Sequence, residues 1–187
     1  MNILLIDNHD SFTYNLVDLI QYKLGYDVTI IKSEAVDIDA VASYSHIIFS
    51  PGPGIPSEQP AMFKILERYA ATKKILGICL GMQAIGMYYG GDLYNLPTVI
   101  HGQQHQISIS NHDHIFKQLN DTIPVGLYHS WAIATPLSAP LQIMAMSERG
   151  ILMSIAHESY AVYGVQFHPE SHLTPDGKQI IQNFLAL

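Results

Sequence analysis

The stretch Lys74-Ile-Leu-Gly-Ile-Cys-Leu-Gly-Met-Gln83 contains the only cysteine of the chain, Cys79, at the end of an apolar run. The run predicts a buried strand over Ile75 to Ile78, and the residues that follow predict a helix from about Gly81. Small residues two positions away on each side, Gly77 and Gly81, permit the sharp turn that a strand-to-helix corner requires. The segment therefore predicts a thiol presented at such a corner.

Short apolar runs alternate with helical patterns through the first half of the chain. Further strands are predicted at Ile3 to Ile6, Val28 to Ile31 and Ile47 to Phe49, and helices at Phe12 to Leu24 and Ala61 to Ala70. The runs lack strict polar alternation, which is typical of a parallel sheet covered on both faces. The order predicts an α/β fold with a doubly wound, mostly parallel sheet and helices on both faces.

The second half changes to short alternating strands and a closing helix over Lys178 to Leu185. The strands are predicted at Gln106 to Ser110, Val125 to Tyr128, Ile143 to Met146, Ile151 to Ala156 and Ala161 to Val165. Such strands predict a small antiparallel extension of the parallel sheet. No repeat or linker interrupts the sequence, so a single domain over 1–187 is expected.

Composition restricts the class of protein. A hydrophobic share of 48% and a charged share of 13% are typical of a soluble globular domain, and a net charge of −7 argues against nucleic acid or an anionic membrane as the main partner. One cysteine cannot form an internal disulfide, which favours a reducing compartment. The first residues, from Met1 to Asp7, predict a strand instead of a signal segment, so the cytoplasm is the expected location.

Cys79 alone could be a nucleophile or a small buried residue, since free cysteine is often buried. A second motif, Gly164-Val-Gln-Phe-His-Pro-Glu-Ser171, favours the nucleophile. It places His168 after a predicted strand and Glu170 two residues further on, and these supply a base and a carboxylate.

The loop Ser50-Pro-Gly-Pro-Gly-Ile-Pro56 follows a predicted strand and so lies at the carboxyl edge of the sheet, where open α/β folds bind ligands. Gly52 and Gly54 could present N–H groups to a developing oxyanion. The loop could also be a simple chain reversal. Cys79 is expected at the same edge, and the two loops together predict a site.

Ten histidines raise the question of a metal site. The closest spacings are His112-Asp-His114 and His101-x-x-x-His105, with no cysteine pair and no third ligand at a recognisable distance. These are expected to be loop and surface histidines, and no metal is expected. His129 is placed at the end of a strand, as a residue that lines the pocket.

Five segments together resemble the class I glutamine amidotransferases over almost the full chain. They are Asp7-Asn-His-Asp-Ser-Phe-Thr-Tyr-Asn15, Ser50-Pro-Gly-Pro-Gly54, Gly77-Ile-Cys-Leu-Gly-Met-Gln83, Tyr128-His-Ser130 and Gly164-Val-Gln-Phe-His-Pro-Glu-Ser171. Within that class, the first segment and Tyr128-His-Ser130 resemble the glutaminase subunit of anthranilate synthase, or its relative that serves 4-amino-4-deoxychorismate synthase.

The resemblance implies a Cys-His-Glu triad of Cys79, His168 and Glu170 that hydrolyses glutamine to glutamate and ammonia. It implies an oxyanion site at the backbone of Gly54 and Leu80. It also implies glutamine contacts, which are Gly52, Pro53, Gly54, Gln83, Ser130 and Trp131.

The resemblance also implies a partner, because the chain has no room for a second catalytic domain to use the ammonia. That partner is a larger synthase subunit that binds chorismate and Mg²⁺, and no cofactor is expected in this chain. Three residues depart from the commonest family pattern: Met82, Gln103 and Leu127. They are expected to affect the partner-facing surface more than the hydrolysis.

Two other functions fit part of the pattern. An α/β-hydrolase with a cysteine nucleophile would share the Gly-x-Cys-x-Gly corner, but in that fold the histidine is the last of the three residues, whereas here Glu170 follows His168. A flavodoxin-like binding module would use Asp7 to Tyr14 as its ligand loop. That segment lacks a glycine-rich phosphate cradle, and this alternative leaves Cys79 and His168 unexplained.

Overall fold

The predicted strands all fall within one nine-stranded sheet in the computed structural model, which describes residues 1–187. The strands are β1 Ile3–Asp7, β2 Val28–Lys32, β3 His46–Phe49, β4 Lys74–Ile78, β5 Leu93–Ile109, β6 Thr122–Ile133, β7 Leu141–Ser147, β8 Leu152–His157 and β9 Val162–Val165. Their order in the sheet is β2-β1-β3-β4-β9-β8-β7-β5-β6. The first five strands in this spatial order, β2 to β9, are parallel, and the remaining pairings are antiparallel. The predicted mixed sheet is therefore confirmed.

Helices cover both faces of the parallel part. They are α1 Thr13–Val17, which continues as a π-helical segment over Asp18–Lys23, α2 Pro60–Tyr69, α3 Leu80–Tyr88 and α4 Gly177–Leu185. Alternate residues of β1, β3, β4 and β9 enter two separate apolar clusters, one shared with α1 and α4 and the other with α2 and α3. This arrangement is the doubly wound packing that the sequence predicts. None of the helices combines the length and the apolar character that crossing a membrane requires.

Two predictions of local structure are wrong in detail. The second half of the helix predicted over Phe12 to Leu24 is π-helical, which apolar spacing over six residues does not distinguish from α-helix. β5 and β6 are far longer than the short strands predicted there. The two strands pair with a register shift between His101 and Gln103, and most of β5 before Gln106 is exposed, so that this part of β5 needs no apolar alternation. In β6, by contrast, only Thr122 is exposed.

The carboxyl ends of the four central parallel strands place four polar residues in one buried row. Asn8, Ser50, Cys79 and Gln166 directly follow β1, β3, β4 and β9, and none is more than 6% exposed. The chain leaves β1 towards β2 on one side and returns to β3 on the other. The row therefore lies where the winding direction of the sheet reverses, which is the usual ligand crevice of such folds.

A buried histidine, His46, lies at the opposite edge of the sheet. Its ring packs edge-on against Phe184 at 5.5 Å, and its Nε2 atom has no hydrogen-bond partner. Burial, with smaller effects of Lys74 and the N-terminal amine, lowers the pKa of His46 from 6.5 to about 4. The unfolded chain therefore binds a proton between pH 6.5 and 4 that the folded chain does not bind.

We expect this difference to destabilise the fold in mild acid. Stability rises with pH wherever the unfolded state binds more protons, so the contribution of His46 is lost as pH falls below about 6.5. Between pH 7.5 and 5.0 the loss is about 2 kcal/mol. Urea unfolding at both pH values should show a smaller difference in His46→Leu than in the wild type. The exposed control His172→Leu should keep the full difference. An equal difference in the free energy of unfolding between the two pH values in all three proteins would contradict the assignment.

Candidate active site

Cys79 occupies the corner between β4 and α3 with a backbone conformation that residues other than glycine rarely adopt. Its φ and ψ angles are 50° and −102°, and such strain persists only where the surroundings enforce it. The predicted strand-to-helix corner is confirmed. The thiol is buried, and the amide N–H of Cys79 donates to the Val165 carbonyl at 2.8 Å, which ties the corner to β9.

The two glycines around Cys79 are needed because α3 passes very close to the sheet. A Cβ atom on Gly81 would lie 2.6 Å from the Cβ and 2.7 Å from the carbonyl oxygen of Phe49, and a Cβ atom on Gly77 would overlap the backbone of Gly81. Real Cβ contacts are not this short. Only glycine at both positions therefore lets the helix begin directly after the thiol.

Unpaired backbone amides surround the sulfur-bearing corner. The first hydrogen bond of α3 runs from Gln83 N–H to the Cys79 carbonyl at 3.0 Å, so the N–H of Leu80 precedes the helical ladder. The Pro51 to Gly54 loop lies beside it. Asn8 holds that loop, because its side-chain amide donates to the Ser50 carbonyl at 2.9 Å and its backbone packs where a Cβ on Gly52 would be.

His168 and Glu170 form a buried pair. Their Nδ1 and Oε1 atoms are 2.7 Å apart, and the two side chains are 2% and 0% exposed. Since a carboxylate only accepts, Nδ1–H donates and Nε2 is left to hold or release the second proton. Burial alone would lower the pKa of His168, but the Glu170 carboxylate and the Cys79 thiol outweigh it and raise this pKa well above its usual value.

Several contacts fix the imidazole of His168 in place. Its backbone N–H donates to the Gly126 carbonyl at 3.0 Å, and its carbonyl accepts from the Thr174 hydroxyl at 2.7 Å. The ring packs edge-on between Phe12 and Tyr128, with centroids 5.5 and 4.9 Å away. The sequence assigned no role to either aromatic side chain, although both lie in motifs that it singled out.

Cys79 lies in the wall of two adjacent cavities. The small cavity has a volume of about 170 Å³ and is lined by Gly52, Pro53, Gly54, Cys79, Gln83, Tyr128, His129, Ser130 and Trp131. Every residue predicted to contact glutamine therefore lies around it. Leu80, predicted through its backbone only, is buried behind the thiol and is absent from the wall.

The neighbouring cavity, of about 360 Å³, also reaches Cys79. Its wall contains His168, Phe12 and Tyr128, together with the β1 to α1 loop from His9 to Ser11 and, on β5, His101. His101 was predicted as a surface histidine, and its side chain lies edge-on to Tyr128 at 5.3 Å. The thiol therefore has open space on both sides, and the imidazole is on the side of the neighbouring cavity.

A chain of buried hydrogen bonds runs behind the small cavity. Gln166 donates from Nε2 to the sulfur of Cys79 at 3.4 Å, and its Oε1 accepts from Gln83 Nε2 at 3.1 Å. Gln83 also donates to the Trp131 carbonyl at 2.9 Å, and the same carbonyl accepts from His129 Nδ1 at 2.9 Å. The sequence did not predict Gln166 as a site residue.

His129 was placed at the end of a strand, which is wrong, because β6 continues to Ile133. Its predicted position in the pocket wall is confirmed. Burial lowers the pKa of His129, partly offset by its bond to the Trp131 carbonyl. A neutral ring with Nδ1–H donating leaves Nε2 as a buried acceptor without a partner.

The residues that depart from the family pattern are not all on the surface. Met82 and Leu127 are completely buried, whereas Gln103 is exposed. Met82 and Leu127 therefore lie in the core, and Gln103 alone of the three stands on the surface; their effect on the partner-facing surface stays a prediction. No three side chains of the kinds that bind metals lie close enough together to hold an ion.

The structure has the layout of an enzyme built around a thiol. It combines a doubly wound sheet with a strained cysteine corner, a buried imidazole and carboxylate, and a small cavity at one sheet edge. The model of the glutamine amidotransferase class-I family matches residues 4–187. The chain belongs to that family.

Individual relatives are similar to this chain in sequence over nearly its whole length. A Haemophilus influenzae protein named as a candidate anthranilate synthase component II is 42% identical, covering 100% of this chain and 97% of its own length. Aminodeoxychorismate synthase component 2 of Escherichia coli K12 is 40% identical, covering 98% of each chain. The crystal structure of a candidate GMP synthase component from Thermoplasma acidophilum has the same fold, with a TM-score of 0.90 at 24% identity, covering 100% of this chain and 92% of that one.

The Gly81 contact makes a prediction whose sign is opposite to helix propensity. Alanine for glycine inside a helix ordinarily stabilises by about 1 kcal/mol, but Gly81→Ala would press a methyl group into Phe49. We expect a loss of at least about 2 kcal/mol in urea unfolding and slower alkylation of Cys79 by iodoacetamide. Gly150→Ala is the control: the methyl group has space there, but the φ of 73° strains any side chain, so this variant should also lose stability while leaving alkylation unchanged. A stabilised Gly81→Ala with normal alkylation would refute the close contact.

Proposed function

We propose that the chain is a glutaminase subunit in which Cys79, His168 and Glu170 form the catalytic triad and ammonia is delivered to a chorismate-binding synthase subunit that makes anthranilate. One observation carries the proposal. The small cavity has the thiol in its wall together with every side chain and loop expected to hold glutamine. Its volume suits a molecule of amino-acid size.

The first half of the reaction forms a thioester. The Cys79 thiolate attacks the side-chain amide carbon of bound glutamine, and the amide oxygen becomes an oxyanion that the N–H groups of Gly54 and Leu80 stabilise, each worth about 3 kcal/mol. Protonated His168 then gives its Nε2 proton to the amide nitrogen. The carbon–nitrogen bond breaks, ammonia leaves, and a glutamyl thioester remains on Cys79.

The second half releases glutamate. Neutral His168 takes a proton from a water molecule that attacks the thioester carbonyl, and the carbon–sulfur bond breaks to restore the thiolate and protonated imidazole. Glu170 keeps Nδ1 protonated and the ring oriented in both halves. The raised pKa of His168 supports this role, because it keeps the imidazolium available beside a thiolate.

The acceptor of ammonia belongs to a partner. Relatives are named as component II or component 2 of a synthase, which supports a separate synthase subunit that binds chorismate and Mg²⁺. We place no metal or cofactor in this chain. The free thiol must stay reduced to act, which supports a cytoplasmic location.

A second function has support of its own. The Escherichia coli relative, named for aminodeoxychorismate synthase, is 40% identical, nearly as similar as the relative named for anthranilate synthase. The same glutaminase chemistry could therefore supply 4-amino-4-deoxychorismate. Reconstituting the chain with each candidate synthase subunit, and identifying the aromatic product formed from chorismate and glutamine, separates the two. Anthranilate supports our proposal, and aminodeoxychorismate alone overturns its pathway assignment.

Removing the nucleophile should stop the release of ammonia from glutamine without stopping the synthesis that uses ammonia. In the assembled complex, Cys79→Ala should reduce glutamine-dependent synthesis at least about a thousandfold, because the triad acts as a unit, while synthesis from ammonium salts remains. His168→Asn should give the same pattern. Product formation from each nitrogen source is the measurement. Equal loss of both activities in Cys79→Ala would mean that the residue is structural, and retained glutamine-dependent synthesis would exclude the proposed nucleophile.

A further inference from the structure

Gln166 is a buried polar residue to which the reaction above gives no role. It is 0% exposed and stands next to Cys79 in the sheet, because β4 and β9 pair in parallel with Ile78 opposite Val165. The residues that follow the two strands, Cys79 and Gln166, therefore lie side by side at the carboxyl end of the sheet. This pairing brings the side-chain amide within 3.4 Å of the sulfur.

We infer that Gln166 is a positioning residue that stabilises the thiolate of Cys79 and fixes the direction of its sulfur. The inference rests on the proposed role of Cys79 as nucleophile and adds a residue that the triad does not include. The amide nitrogen donates a hydrogen bond to sulfur, and a donor favours the charged form of the group that accepts from it. A thiolate accepts far better than a thiol, so the bond strengthens when the nucleophile ionises.

The direction of the amide of Gln166 is determined by its neighbours. Gln83 Nε2 lies against the Trp131 carbonyl, which only accepts, so the nitrogen of Gln83 must point there. The same nitrogen then donates to Gln166 Oε1 at 3.1 Å, which turns the nitrogen of Gln166 towards sulfur. A backbone carbonyl therefore sets the donor direction through two amides. A flipped Gln166 would lose its bond from Gln83 and bury two opposed donors.

The backbone around Gln166 does not need the side chain for support. Its N–H donates to the Met153 carbonyl at 2.9 Å, and the neighbouring Cys79 N–H donates to the Val165 carbonyl at 2.8 Å. Gln166 also lies outside the wall of the small cavity. Replacing its amide should therefore alter the reactivity of sulfur and leave glutamine binding nearly unchanged.

The single cysteine allows a direct test, because Cys79 is the only thiol whose ionisation raises the absorbance at 240 nm, and the overlapping signal of the eleven tyrosines can be followed at 295 nm and subtracted. In Gln166→Met, which keeps the length but removes the donor, we expect the absorbance rise to move about one pH unit upward. Alkylation by iodoacetamide at pH 7 should slow up to about tenfold, because less thiolate is present. Glutaminase kcat in the assembled complex should fall, with KM for glutamine within about twofold.

Two further variants complete the test. Gln166→Glu keeps the shape and the bond from Gln83 but puts a negative charge beside sulfur, so the titration of the Cys79 thiol should move further upward. This variant replaces Gln166→Met in the comparison with wild type if circular dichroism shows that Gln166→Met does not fold. Gln142→Met, on the exposed side of β7, is the matched control and should behave as wild type. Unchanged titration and alkylation in folded Gln166 variants would overturn the inference. A wild-type complex without glutaminase activity would instead refute the proposed function, since titration and alkylation need no turnover.

Discussion

The site depends on the close approach of α3 to the sheet at Gly77 and Gly81. A side chain at either position would push the helix away, and the helix could not begin directly after Cys79. Because it does, Cys79 is held in a left-handed conformation that costs roughly 1 to 3 kcal/mol and that ordinary packing would not sustain. The cost is met by the buried strands on both sides. As a result, the sulfur stands beside unpaired amides at the start of a helix, with an open cavity on each side.

Strand pairing extends this constraint to the rest of the site. Within the buried row, the register of β4 with β9 places Cys79 beside Gln166, and the backbone and side chain of Asn8 bond to Ser50 at the end of β3. Asn8 then holds the loop of Gly52 and Gly54, Gln166 contacts sulfur, and His168 follows two residues later. Buried polar groups are costly when unpaired. Each member of the row bonds to another member or to backbone, and Oδ1 of Asn8 is the one polar side-chain atom of the row without a partner. The geometry is thus fixed before any ligand arrives.

The sequence predicted the parts of this arrangement that leave a local signal. Glycines around a lone cysteine predicted the corner, and a histidine and a glutamate two residues apart predicted the buried pair. Gln166 was missed because a glutamine in an apolar stretch has no titratable chemistry, and its contact with sulfur comes from the β4 to β9 register. The length of β5 was missed for another reason: its first part is mostly exposed and carries no apolar alternation. Long-range pairing decided both features.

The central claim is that Cys79 forms a covalent bond to the glutamyl group of glutamine. A glutamine analogue with a diazoketone in place of the side-chain amide would trap that attack, because the thiolate displaces nitrogen and keeps the carbon chain. Intact mass and peptide mapping of the treated complex should show one adduct, located on Cys79 and prevented by excess glutamine. A complex that produces glutamate yet gains no adduct, or gains it at another residue, would contradict the account.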